Sequence, residues 1–226
     1  MKILSLFNML QVCDSLFPVG SYTLSGGLET FVQQEKLRTS KDLLQYLKSY
    51  LTLLPYQDLG AAILAYQCQD DKKLLLQLDA LYSALRVSAE MRKGSEKLCR
   101  RFLKIINQMH NFSNVRRYEQ LIKTKVCNGH YAIAVGLFIA SNEVEIKEAA
   151  AIYAYSLVST IVTNAVKTVP LSQMDGQQVL NESFALIKTA VEKALNITVN
   201  DLGIGGTEFE IAAMNHETLY SRLYMS

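Results

Sequence analysis

Cysteine is scarce in this 226-residue chain and poorly placed for cross-linking. Cys13, Cys68, Cys99 and Cys127 are never closer than 28 positions in sequence. That spacing matches neither a disulfide framework nor a zinc ribbon, and it predicts a reducing compartment. Three prolines and eleven glycines are too few for an all-β chain, which needs a turn every 8–12 residues or so. The three histidines, His110, His130 and His216, form neither HxxxH nor HExxH, so a zinc-protease helix is excluded. There is no G-x-S-x-G elbow, and Gly203-Ile204-Gly205-Gly206 lacks the Lys-Ser/Thr of a phosphate-binding loop. Before Asp14 the chain has one lysine and no long apolar signal segment, so a cytoplasmic location is expected.

What is present is apolar and periodic. Half the residues are hydrophobic and 19% are charged, a balance that excludes intrinsic disorder. A chain of this length can bury roughly 70% of its unfolded surface. Leu43, Leu47, Tyr50, Leu51 and Leu54 recur at helical spacing after a capping-box-like Thr39-Ser40-Lys41-Asp42, and Pro55 stops the run. Ser25 is expected to cap a helix carrying Leu28, Phe31 and Val32, and Asp58 to cap one carrying Ala62, Ile63 and Tyr66. A long periodic segment, Leu74 to Ala89, should break at Gly94-Ser95 and resume through Leu98, Phe102, Ile105 and Met109. Ser113 can cap the next helix, and Asn128-Gly129 signals a turn. Residues 149–166 are uncharged, at the lower limit for a membrane span. Ser156, Ser159, Thr160, Thr163 and Asn164 argue instead for a helix buried on all sides, paired with 130–141. Pro170 should end it, and a last amphipathic helix should start at Asp175-Gly176. The period is 3.6 throughout, which predicts an all-α, single compact multi-helix domain over 1–199. Residues 200–226 follow as a tail whose glycines predict mobility and whose aromatics predict docking, on its own domain or on a partner.

The net charge of +2 conceals an uneven distribution. Residues 86–125 hold 11 basic groups against Glu90, Glu96 and Glu119, a local excess of about +8, while the flanks sum to about −6. Such a stripe is either a solvated helix face or a surface for nucleic acid, acidic lipid or an acidic protein. Aromatic interleaving is thin, and no standard nucleic-acid motif appears. Cys127 and His130 could approach within one turn, but two ligands complete no metal site. A structural histidine is one reading, and half-sites paired across a dimer axis are the other. Asp14 and Glu29 could be paired carboxylates, although capping and turn formation explain them as well. The residues alone assemble no catalytic constellation, which favours an interaction protein over an enzyme.

Three segments in order resemble the urease accessory protein UreF family. Asp14-Ser15-Leu16-Phe17-Pro18-Val19-Gly20 through Ser25-Gly26-Gly27-Leu28-Glu29 is similar to its DSxFPxGxxxxSxGLE signature. Val169-Pro170-Leu171-Ser172-Gln173-Met174-Asp175-Gly176-Gln177 is similar to PLGQxxGQ. His216-Glu217-Thr218-Leu219-Tyr220-Ser221-Arg222-Leu223-Tyr224 matches HExxxSRLF. Weaker similarity runs through Glu90-Met91-Arg92 and Gly129-His130. Leu24 stands at a frequent histidine position, Lys167 at a usual arginine and Tyr22 at a phenylalanine position; Arg to Lys loses a bidentate fork.

The resemblance implies an all-α, homodimeric, cytoplasmic chaperone of urease maturation. It would bind UreD (UreH in some organisms) and recruit the GTPase UreG for GTP-dependent nickel insertion into apo-urease. The chain would be a scaffold and checkpoint, not an enzyme, with no cofactor or metal site of its own and with neither nucleic acid nor membrane as partner. A direct nickel site shared across a dimer is the alternative for the metal; a nucleic-acid-binding or generic interaction protein using the 86–125 stripe is the alternative for the function. Candidate partner-binding residues are Asp14, Pro18, Gly20, Ser25, Glu29, Lys167, Gln173, His216, Glu217, Tyr220, Arg222, Leu223 and Tyr224. Within this set, residues 207–226 are expected to bind UreD and the Asp14–Glu29 segment to face UreG. The competing readings are a tail packed on its own core and an internally packed helix entry.

Overall fold

The computed structural model describes residues 3–21 and 24–224; Tyr22 and the last two positions of the expected tail lie outside the described residues. The elements are α1 (Ile3–Cys13), α2 (Leu28–Gln33), α3 (Ser40–Leu53), α4 (Asp58–Gln67), α5 (Lys72–Leu85) and α6 (Ala89–Met109). They continue with α7 (Ser113–Lys123), α8 (Tyr131–Ser141), α9 (Ile146–Thr168), α10 (Gln173–Glu182), α11 (Phe184–Ala194) and α12 (Thr207–His216). No strand occurs among the described residues. One core cluster runs from Met9 to Ala212, which makes this a single all-α domain.

The centre is the pair α4–α8, which pack together more extensively than any other two elements. Gly136 makes this possible. A Cβ there would sit 2.1 Å from the Ala62 carbonyl oxygen, so only glycine lets the two backbones approach this closely. The expected pairing of 130–141 with 149–166 is only a minor contact, and α8 packs chiefly on α4, where Ala61, Ala62 and Ala65 are buried. The long helix α9 has the length and composition of a membrane span, with 44% of its most apolar window buried. Ala149, Tyr153, Ala154, Val158 and Ala165 face the core, but Tyr155, Thr163 and Lys167 are exposed, so it is not buried on all sides. The hydroxyls of Ser156, Thr160 and Thr168 donate to carbonyls of α9 itself, which removes the cost of placing them in an apolar helix.

Helix boundaries show where local signals prevail. The Thr39–Asp42 capping box is formed, and Ser172 with Asp175 forms another. The second box starts α10 at Gln173, two residues before the expected Asp175, and buried Ser183 splits the expected last helix into α10 and α11. Gly94-Ser95 breaks nothing: α6 runs straight through, and the break falls at 86–88. A Cβ on Gly94 would press 3.1 Å from Leu24 Cδ1, so close packing against the front loop outweighs the roughly 1 kcal/mol cost of a helical glycine. Ser25 caps no helix; Gly27, with φ 86°, precedes α2 instead. Neither Asp58 nor Ser113 is a cap, each being the first residue of its helix. The Asp58 carboxylate is drawn inward, where it pairs with Arg86 at 2.6 Å.

Candidate functional site

The tail over 200–226, expected to be mobile and to dock on its own domain or on a partner, lies against its own domain over its described residues. Gly203 donates its N–H to the Tyr56 carbonyl at 2.9 Å, and Leu202 is buried. Gly206, with φ 90°, starts α12. That helix then lies against the front segment, where Thr30 Oγ1 donates to the Ala212 carbonyl at 2.7 Å. A Cβ on Gly27 would come within 2.9 Å of the Ala213 nitrogen, so the Gly26-Gly27 pair is where two backbones meet. Phe209 joins Phe31 and Tyr46 in an aromatic cluster with ring centroids 5.0–5.5 Å apart.

Past that contact two of the three resembling segments, 14–29 and 216–224, converge on Glu29, which is buried, while 169–177 does not take part. His216, in the last turn of α12 and without solvent exposure, places Nε2 at 2.9 Å from Glu29 Oε2 and Nδ1 at 2.8 Å from Glu90 Oε2. Glu90 is held in the first turn of α6, the end of a helix that favours negative charge. Its other oxygen accepts from Arg222 Nη1 at 2.8 Å. The Leu223 and Tyr224 backbone N–H groups donate to Glu29 at 2.8 and 3.1 Å. Gln33 adds a bond to the Ser221 carbonyl at 2.7 Å. Tyr224 Oη reaches the Asn164 carbonyl at 3.4 Å, and Asn164 Nδ2 donates to the Leu24 carbonyl at 3.1 Å. Glu29 therefore clasps the tail by backbone and side chain together. With the main chain pinned beneath, Tyr220 and Leu223 remain on the surface, fully and 72% exposed respectively.

A second buried polar system lies behind α6. Asp79 accepts from Tyr118 Oη at 2.6 Å and from the Asn128 and Gly129 N–H groups at 2.7 and 3.1 Å. Tyr118 Oη also accepts the His130 N–H at 2.9 Å. Burial lowers the His130 imidazole below its ordinary range, against the opposing pull of Asp79. Burial pushes the Cys127 thiol up to about 12, with Asp79 adding to the shift. Neither group is poised as a thiolate–imidazole pair, and His130 fits a structural part. No group of three or more His, Cys, Asp or Glu side chains able to hold a metal ion occurs among the described residues.

A family model for UreF matches residues 37–184. Full-length similarity extends further. A urease accessory protein UreF from Actinobacillus pleuropneumoniae serotype 5b is 36% identical over 221 residues, covering 96% of this chain and 97% of that protein. The chain belongs to the UreF family. The UreF of Lachnoclostridium phytofermentans is 34% identical over 97% of each chain, and that of Bacillus sp. strain TB-90 is 33% identical over 100% of this chain and 99% of its own. UreF proteins are urease accessory proteins by name, and this chain is one of them.

Within this UreF, Glu29, His216, Arg222, Leu223 and Tyr224 come together in the clasp. The other candidates do not join them. Asp14 is exposed and stabilises its own turn, accepting the Leu16 N–H at 2.7 Å. Pro18 is exposed on the same loop, and Gly20 is buried against Arg101. Ser25 is buried, its hydroxyl without a hydrogen-bond partner. Lys167 lies in the last turn of α9, Gln173 starts α10 and Glu217 follows α12, all three exposed. Two clasp members escaped the motif reading. Glu90 carried only the weaker Glu90-Met91-Arg92 similarity, and Asn164 was one polar residue in an apolar helix. Their positions signal nothing until the fold brings 24, 90, 164 and 216–224 to one place.

Proposed function

We propose that this UreF acts with UreD (UreH) and UreG on apo-urease during GTP-dependent nickel insertion, as a homodimeric cytoplasmic scaffold and not as a catalyst. The observation that carries the reading is the clasp: two carboxylates and a buried histidine hold a tail that offers Tyr220 and Leu223 outward. An aromatic and a leucine on a rigid base are suited to anchoring a protein interface, since little ordering entropy is lost on binding. Family membership supplies the partners. In this reading Glu29 and His216 act through the tail that they position, because their own side chains face inward, while Tyr220, Arg222, Leu223 and Tyr224 lie nearer the partner. UreG supplies the GTP hydrolysis. The basic stripe gives the nucleic-acid alternative little support. Arg86 is buried on Asp58, Arg92 donates to the Arg86 carbonyl, Arg117 to the Gln69 carbonyl, and Arg100 and Lys123 pair with Glu96 and Glu119.

The test is co-purification of tagged full-length protein with UreD and UreG, with and without GTP and Mg²⁺. Retention of UreD by the wild type and its loss in Leu223→Asp is the expected result. Equal retention by both would overturn the role of the tail, and no retention by either would overturn the partner assignment.

A further inference from the structure

The basic stripe is not spent entirely on internal pairing. Lys93, Lys97 and Arg101 recur every fourth residue along one face of α6 and line a groove of about 290 Å³ between that helix and the front loop. Val19, Leu24, Gly94 and Leu98 form its floor. Among the described residues no carboxylate pairs with Lys93 or Lys97, and both are exposed. Glu90 is the groove's one acidic residue, and both its oxygens are already engaged, by His216 and by Arg222. The groove therefore carries three cationic groups against one carboxylate, and that carboxylate is already paired with Arg222.

We propose that this groove docks an acidic peptide segment of a protein partner. At 1.5 Å per residue, three cations four residues apart form a ladder about 6 Å in step and about 12 Å long. Carboxylates at i, i+4 and i+8 of a helix, or on alternate residues of an extended strand, match that step. The apolar floor takes a leucine-sized side chain between the charges, a requirement that a phosphate or a nucleic-acid backbone does not meet. The arrangement is independent of the tail, so a partner held here is a second point of attachment beyond the one proposed for Tyr220 and Leu223.

The probe is a fluorescein-labelled dodecapeptide with glutamate at every fourth position and leucines between, read by anisotropy on the full-length protein. Its glutamine counterpart is the reference. The glutamate peptide should bind at least tenfold more tightly than the reference, and weaken between 50 and 300 mM NaCl. The double variant K93E/K97E should lose tenfold or more, while K147E/K188E, with the same charge change elsewhere, should not. If reversal compromises folding by circular dichroism, K93Q/K97Q serves in its place with a smaller loss. Equal binding of the two peptides, or undiminished binding by the Lys93 and Lys97 variants, would overturn the proposal. So would displacement of the peptide by ATP or a short DNA duplex at lower concentration than by unlabelled peptide.

Discussion

His216 Nε2 lies 2.9 Å from Glu29 Oε2 across 187 positions of sequence, and neither side chain has appreciable contact with solvent. Glu29 thereby holds both the end of α12 and the backbone of Leu223 and Tyr224. Removing the Glu29 carboxylate leaves a buried imidazole nitrogen and the Leu223 and Tyr224 N–H groups without their acceptor, and an unsatisfied buried polar group typically costs about 1–3 kcal/mol. Glu29→Ala should therefore lower stability by about 3 kcal/mol in urea unfolding, and trypsin should cut at Arg222 faster than in the wild type. A double-mutant cycle with His216→Ala should show a coupling of at least about 1 kcal/mol; additive effects would mean that the two residues do not act as a pair.

Gly27 and Gly136 test the close backbone approaches. Gly27→Ala imposes a left-handed φ on a side-chain-bearing residue and crowds the Ala213 nitrogen, at an expected cost of about 1–3 kcal/mol. Gly136→Ala meets the Ala62 carbonyl at 2.1 Å, where only separation of α4 from α8 relieves the overlap. Its thermal midpoint should fall further than that of Gly27→Ala. The reverse order would show that the α12 contact, not α4–α8, limits stability.

Tyr220 and Leu223 should separate binding from stability. Both are exposed, and surface substitutions away from caps and buried networks usually stay within about 0.5 kcal/mol. Tyr220→Ala and Leu223→Asp should unfold at wild-type urea concentrations while losing UreD in co-purification. A large shift in the urea midpoint would instead assign the side chains to internal packing.

Tyr118→Phe removes the hydroxyl shared by Asp79 and the His130 N–H. An unsatisfied buried group costs about 1–3 kcal/mol, so a loss of about 2 kcal/mol is expected in denaturant titration. Asn128 and Gly129 hang on the same carboxylate, and their amide exchange should accelerate in Asp79→Asn.

Burial also raises the Cys13 and Cys127 thiols from the ordinary 9.0 to about 12. For an acid raised in the folded state, the unfolded chain loses its proton first. The stabilisation is complete below about pH 9 and is lost as pH rises toward 12. Urea midpoints should therefore decline from pH 8.5 to 10.5, and less steeply in Cys13→Ala/Cys127→Ala than in the wild type. Parallel declines would assign the alkaline loss to other groups.

Helicity follows from the sequence alone because a 3.6-residue apolar period and capping boxes such as Thr39–Asp42 and Ser172–Asp175 are local physics, complete within four or five residues. Membership in the UreF family is equally legible, from ordered motifs at 14–29, 169–177 and 216–224. What the order of residues does not state is which of these segments touch. Gly94-Ser95 resembles a break, yet helical packing against Leu24 outweighs its propensity. Ser25 resembles a cap, yet the left-handed Gly27 takes the position before the helix. The tail resembles a mobile arm, yet Glu29 binds its backbone. The clasp needs Glu29 from a loop-to-helix entry, Glu90 from a helix start and His216 from a helix end. Only tertiary packing brings them within 3 Å, because a buried carboxylate has no stable place until partners distant in sequence arrive to match its charge.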